Sequence, residues 1–175
     1  DERQQYYLEN MKGSSDHILS LVNDLLDFQR LESGEMEVHS VPFRVPALFD
    51  EIYTSFQPIA EAKGLRFVLN LKPEETGQVY MGDPIRIRQV VGNLLSNAIK
   101  FTEAGRVVLL VSLQKLSAVH YQLSITVSDS GPGIPKEEQE RIFGEFTRLA
   151  DTEEVEGFGL GLSITRKLLS LMNGT

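Results

Sequence analysis

Residues 2–33 constrain the fold more than any other part of the chain. Leu8, Met11, Ile18, Leu21, Val22, Leu25 and Phe28 recur at three- and four-residue spacing, the period of one helix face. At 1.5 Å per residue the predicted helix is roughly 45 Å long, beyond the length usual in a compact domain. Asp16, Asn23, Asp24, Asp27 and Arg30 occupy its other faces, and Ser33-Gly34 is a stop signal. The apolar stripe has no partner within the helix, so it is expected to pack on another helix; the competing reading lays it on the domain's own core.

The chain then changes character. Residues 36–44 predict a short strand, and 46–63 a helix with Leu48, Ile52, Phe56, Ile59 and Ala60 on one side. Pro58 lacks an N–H and is expected to kink or split that helix. Residues 66–71 alternate as a strand and 72–77 read as a turn. Asp83-Pro84 places an N-cap residue before a proline, opening a helix that runs to about Phe101. Residues 107–113 are apolar on both faces, as in a central strand. Tyr121, Leu123, Ile125 and Val127 alternate with polar residues, so that strand buries one face. Segments 136–146 and 162–172 predict helices. This order is α+β, with the strands read as antiparallel.

Charge narrows the function. The 175 residues carry 25 acidic and 17 basic side chains, a net charge of -8, which opposes a basic nucleic-acid face. Cysteine is absent, which excludes disulfides and thiolate metal sites. No apolar run is long enough to span a bilayer. An acidic chain that binds a polyanion does so locally, through backbone N–H groups, a metal ion and one or two cations.

Three stretches have that chemistry. In "RQVVGNLLSNAIKFT" (88–102), Asn93, Asn97 and Lys100 lie at i, i+4 and i+7 and share one face, opposite Ile87, Val90, Val91, Leu94, Leu95, Ala98 and Ile99. Mg²⁺ takes few protein oxygens and completes its shell with water and phosphate; an Asn carbonyl is such a ligand and a lysine beside it meets phosphate. A solvated face would show the same residues. In "VSDSGPGIP" (127–135), Asp129 stands at a strand exit, at an expected pocket floor, while Gly131 and Gly133 allow a flat ligand close to the backbone. A carboxylate only accepts hydrogen bonds, so it suits the adenine amine and repels the guanine carbonyl. A plain turn also uses Asp, Gly and Pro. In "GFGLGL" (157–162), glycines precede a helix start, an anion-binding arrangement. The polar stretch 147–156 ahead of them reads as a lid, or as a glycine-rich linker.

Together these stretches are the parts of one ATP site. "NLLSNAIKFT" (93–102), "DSGPGIP" (129–135), "IFGEF" (142–146) and "GFGLGL" (157–162) resemble, in order and spacing, the N, G1, F and G2 boxes of sensor histidine kinases, hybrid kinases included. These belong to the ATPase superfamily of gyrase, Hsp90 and MutL. "ILSLVNDLLDFQRLESG" (18–34) resembles the second helix of that family's dimerisation and phosphoacceptor hairpin. The resemblance implies a two-layer α/β sandwich (the Bergerat, or GHKL, ATP-binding fold), with a mixed sheet and helices on one face, preceded by one long helix. It divides the chain into hairpin helix 1–35 and catalytic domain 36–175. It implies that Asn97 chelates Mg²⁺, Lys100 contacts phosphate and Asn93 supports them, with Phe101 beside them. Asp129 reads adenine, with Gly131, Gly133 and Ile134 shaping its pocket. Phe143 and Phe146 pack the lid's base, and Gly157, Gly159, Leu160, Gly161 and Leu162 wrap the phosphates.

The superfamily's hydrolases carry a Glu base where this chain has Asn93, and an amide cannot take a proton from water. Neutral imidazole needs little activation near pH 7. The resemblance therefore implies phosphoryl transfer from ATP to histidine, then to a response-regulator receiver domain, in a cytoplasmic portion that is a homodimer through its helical hairpin. His17, His39 and His120 do not stand in the family's acceptor context. The expectation is a chain that begins after the acceptor, ends before the family's closing strands, binds Mg-ATP and does not phosphorylate itself. A hydrolytic ATPase, and a non-catalytic nucleotide-sensing or dimerisation module, are the alternatives.

Overall fold

The computed structural model describes residues 2–72, 78–147 and 159–175. Its contacts divide the chain into two units, 38–135 and 1–37 with 136–175. Among the described residues no helix is long and apolar enough to cross a membrane.

The unit 38–135 packs helices on a sheet. Its elements are β1 (Val41–Phe43), α2 (Val45–Ala62), β2 (Arg66–Leu71), β3 (Tyr80–Gly82), α3 (Pro84–Phe101), β4 (Arg106–Lys115) and β5 (Tyr121–Asp129). β1 and β3 form an antiparallel ribbon, and the described strands of the larger sheet run in the order β2-β4-β5. β4 is central, as its two-sided apolar pattern predicts. β5 pairs with it antiparallel, from Val107↔Asp129 to Lys115↔Tyr121.

The antiparallel reading of the strand patterns is corrected by β2, which pairs with β4 in parallel from Arg66↔Arg106 to Leu71↔Val111, giving the mixed sheet that the resemblance implies. Strand patterns report burial and carry no sign for the partner's direction. The path from β2 to β4 passes through α3 and therefore returns the chain in the same direction.

The core of this unit lies between α2, α3 and the sheet. Phe49, Ile52, Val91, Leu95, Val107, Leu109 and Val111 are fully buried there, each stabilising by about 1.5–3 kcal/mol relative to exposure. Pro58 does not split α2, which runs unbroken from Val45 to Ala62. Leu48 and Ile52 before the proline and Ala60 after it are buried in the same core, so packing outweighs one missing backbone bond. Ile59 was expected on that face and is 55% exposed; Val45 and Phe49 complete the buried stripe instead.

α3 starts as its sequence predicts. Asp83 Oδ1 accepts from the Ile85 and Arg86 N–H groups at 3.1 and 3.0 Å, and Pro84 begins the helix. The structure adds a partner from outside the helix: the His39 N–H donates to Asp83 Oδ2 at 2.9 Å. Burial pushes this carboxyl up, but the N–H groups of His39, Arg86 and Ile85 and the Arg86 charge outweigh it and leave the pKa below its ordinary 3.8. A depressed carboxyl pKa stabilises the fold above the unfolded value and loses that contribution as pH falls through the folded one. Asp83→Ala is expected to cost about 2 kcal/mol at pH 7. The charge-dependent part of that difference should shrink as pH falls below 3.8 and through the lower folded pKa; denaturant melts at pH 7 and in acid check this.

The other unit contains α1 (Glu2–Glu32), a 3-10 turn at Arg141–Phe143 and α4 (Gly161–Leu171). α1 ends where expected. Gly34 takes φ +70°, and the Glu35 and Met36 N–H groups both reach Arg30 O, at 3.0 and 3.1 Å. Leu8, Met11, Ile18, Val22 and Leu25 are exposed along it, whereas Phe28 near its end is buried. The helix expected over 136–146 shrinks to that single 3-10 turn. Gly144 follows it in extended conformation at φ -71° and ψ 153°, and Phe146 takes φ +55°; neither conformation continues a helix.

Candidate nucleotide site

In the unit 38–135 the candidate site gathers at the C-terminal end of α3. Asn93, Asn97 and Lys100 lie along its half-buried stripe, while Val91, Leu95, Ala98 and Ile99 are buried on the faces turned to the core and Val90 is buried beside Asn97. The Lys100 ammonium stands 5.5 Å from the centre of the Phe101 ring, and that ring is 39% exposed.

Two groups without a sequence signal fix this helix end. Lys63, just past α2, donates to the carbonyls of Ile99 and Lys100 at 2.7 and 2.6 Å. A cation suits the negative end of the helix dipole and satisfies two terminal carbonyls. Thr102 is fully buried; its Oγ1 donates to Ala98 O at 2.7 Å. Lys63 follows α2 by one residue and Thr102 follows α3 by one, so position after a helix was the available clue.

The Asp129 turn packs directly on this end. A Cβ on Gly131 would lie 3.0 Å from Phe101 O, 3.4 Å from Thr102 Oγ1 and 2.8 Å from Asp129 Oδ1. Glycine there permits a close approach of two backbones. Asp129 Oδ1 accepts from the Gly131 N–H at 2.8 Å. Ser130 anchors the turn from behind, with Oγ accepting from Arg106 N–H at 2.9 Å and donating to Ala104 O at 3.1 Å. Gly133 takes φ +76°. Asp129 and Ile134 are both exposed, so the expected pocket floor is an open carboxylate at a strand end. Asp129 is the last residue of β5, on the same face as Val127 and opposite Val107.

The unit 1–37 with 136–175 holds the other candidates. Phe143 is half-buried in the 3-10 turn, and Phe146 is 59% exposed in the left-handed region. A bulky residue at φ +55° costs roughly 1–3 kcal/mol. The Phe146 ring meets Phe28 of α1 edge-on, with centroids 6.1 Å apart. Gly157 lies outside the described residues. Gly159 takes φ +70°, and a Cβ there would lie 2.5 Å from Thr147 O, so only glycine fits. Leu160 is buried and is the N-cap of α4, making no side-chain cap bond of its own; a helix N-terminus favours anions. Leu162 is half-buried in its first turn.

The donor set fits Mg²⁺ held by an amide oxygen, with phosphate and water completing the shell. Among the described residues no three His, Asp or Glu side chains converge as a metal cluster.

The family model described as histidine kinase-, DNA gyrase B- and HSP90-like ATPase matches residues 82–175. The chain belongs to that family. The His Kinase A phospho-acceptor domain model matches residues 1–34. The chain is 39% identical to the signal transduction histidine-protein kinase BarA of Escherichia coli K12, over 98% of this chain and 19% of BarA. It spans about a fifth of such curated relatives. Among solved structures, full-length ShkA in complex with AMPPNP is 33% identical with a TM-score of 0.81, covering 99% of this chain and 35% of ShkA. Histidine kinase ThkA in complex with the response regulator TrrA is 25% identical with a TM-score of 0.66, covering 96% and 44% of the two chains. The fold is that of histidine kinase catalytic domains, and the ATPase family model covers residues 82–175 of it.

Proposed function

We propose that this chain binds Mg-ATP and supplies its γ-phosphoryl group to a histidine imidazole, from which a response-regulator aspartate receives it. The observation that carries the reading is the contact of the Gly131 turn with the end of α3. It holds Asp129, the adenine-reading carboxylate, in the same unit as the Asn93–Asn97–Lys100 stripe. In the transfer, the bond from the γ-phosphorus to the bridging oxygen breaks, a phosphorus–nitrogen bond forms, ADP departs and the imidazole loses its proton. Asn97 would hold Mg²⁺, which would supply neutralisation of charge on the phosphates. Lys100 meets their oxygens and Asn93 supports both. Phe101 and Ile134 border the base. Asn93 cannot act as a base toward water, which disfavours hydrolysis.

The domain division is hairpin helix 1–35 and catalytic domain 36–175. The exposed stripe of Leu8, Met11, Ile18, Val22 and Leu25 supports dimerisation of the whole kinase through a helical hairpin. This part works on the cytoplasmic side.

Calorimetric titration with ATP, with and without Mg²⁺, and with GTP tests the reading. Mg-dependent, adenine-selective binding is the expected result. A folded sample that binds neither nucleotide would overturn it.

A further inference from the structure

We propose that Ser130 is a positioning residue for base recognition: its hydroxyl fixes the Asp129 turn to the turn that leads from α3 into β4, and so sets where the Asp129 carboxylate stands relative to the α3 stripe. The proposal rests on the Mg-ATP reading above. The hydroxyl and the main chain of Ser130 both bind the start of β4. The Ser130 N–H donates to Arg106 O at 3.1 Å, and Oγ accepts from the Arg106 N–H at 2.9 Å. The single hydroxyl proton lies between two carbonyls, Ala104 O at 3.1 Å and Arg106 O at 3.3 Å. Gly105 makes room for the group. A Cβ there would lie 2.3 Å from Ser130 Oγ and 3.2 Å from Ser130 Cβ, and Gly105 itself takes φ +111°, a backbone that other residues disfavour. Gly105 O in turn accepts from the Arg66 N–H at 2.9 Å, so the turn that holds Ser130 is itself tied to β2.

The segment 129–131 is therefore held on two sides. Ser130 grips the turn at 104–106, and Gly131 lies against Phe101 O and Thr102 Oγ1 at the end of α3. One bond between them aims the carboxylate, from the Gly131 N–H to Asp129 Oδ1 at 2.8 Å. That bond directs the group only as well as the Gly131 backbone is placed. The β4–β5 register ends at Val107↔Asp129, one residue short of Ser130, so the hydroxyl continues the attachment where strand pairing stops. Its effect on a base passes through Asp129. Hydrogen bonds weaken steeply off their line, so a displaced carboxylate impairs base reading and leaves the contacts of Asn97 with Mg²⁺ as they were.

Competition binding of ATP and GTP by the whole 175-residue protein, with and without Mg²⁺, tests this. Ser130→Ala should weaken ATP about threefold to tenfold, leave GTP unchanged and keep the Mg²⁺ dependence of the parent. Ser130→Thr keeps the hydroxyl and should bind ATP as the parent does. In an Asp129→Asn background, Ser130→Ala should no longer alter the ratio of ATP to GTP affinity, because the two residues act through one carboxylate. A purely structural role predicts equal weakening of both nucleotides, or the same loss with and without that carboxylate. Either result overturns the proposal, as does an unchanged ATP affinity in Ser130→Ala. Should Ser130→Ala fail to fold, Ser130→Thr decides: a parent-like ratio upholds the proposal and a lost preference overturns it. A folded parent that binds neither nucleotide overturns the Mg-ATP reading and the proposal with it, whereas a parent that binds ATP beside an unaffected Ser130→Ala overturns the proposal alone.

Discussion

Asn97→Ala is expected to abolish the Mg²⁺ dependence of ATP binding while leaving the fold intact. The two outcomes separate because of where the residue lies. Asn97 stands on the half-buried polar side of α3, whereas the core contacts of that helix are Val91, Leu95, Ala98 and Ile99. Alanine is also the better helix former, by a few tenths of a kcal/mol, so the helix itself gains slightly. The loss is a metal ligand. Changing groups that merely orient a ligand costs 10–100-fold, and removal of the ligand should cost about 100-fold in affinity for Mg-ATP. Calorimetry of parent and variant should give two curves with Mg²⁺ and one shared, weak curve without it. A variant that keeps its Mg²⁺ response would mean that another oxygen holds the ion.

Asp129→Asn is expected to collapse the preference for ATP over GTP. In the parent, Asp129 Oδ1 holds the Gly131 N–H at 2.8 Å. The asparagine Oδ1 can keep this bond, and with it the turn against the end of α3. What changes is the second atom of the group, which becomes an N–H₂ donor instead of an oxygen acceptor. A donor there leaves the adenine amine unpaired and suits a guanine carbonyl. Losing one such bond and leaving a donor unmatched costs on the order of 1–3 kcal/mol, so ATP should weaken up to about 100-fold while GTP does not. Competition with the two nucleotides measures this directly, and an unaltered melting temperature would confirm that the turn survives. Equal weakening of both nucleotides would show that Asp129 shapes the turn and reads no base.

The two substitutions rest on parts of the molecule that differ in how far the sequence reveals them. The α3 stripe follows from helix periodicity alone, and its start is written in Asp83-Pro84. The Asp129 turn is visible as a motif, but its attachment to α3 is not. That attachment needs Gly131 against Phe101 O and Ser130 against Arg106, contacts between residues about thirty positions apart or brought together by strand pairing. The Lys63 cap on α3 spans 36 and 37 positions, and the Lys167–Glu32 pair spans 135. No local period encodes such distances.

By itself the sequence determined the long helix and its stop, the capped helix α3 with its polar stripe, the central and one-sided strands β4 and β5, and the order of the four boxes. Each of these depends on interactions within a few residues: a helical turn, a cap, or an alternating strand. Tertiary structure decided the parallel partner of β2, the survival of α2 through Pro58 and the exposure of Ile59. It also decided the loss of the helix over 136–146 and the pairing of Lys167 with Glu32. These depend on free energy exchanged between distant segments, where burial of Phe49 and Ile52 outweighs one missing hydrogen bond and contacts around Phe28 hold Phe146 in a conformation that its own backbone disfavours.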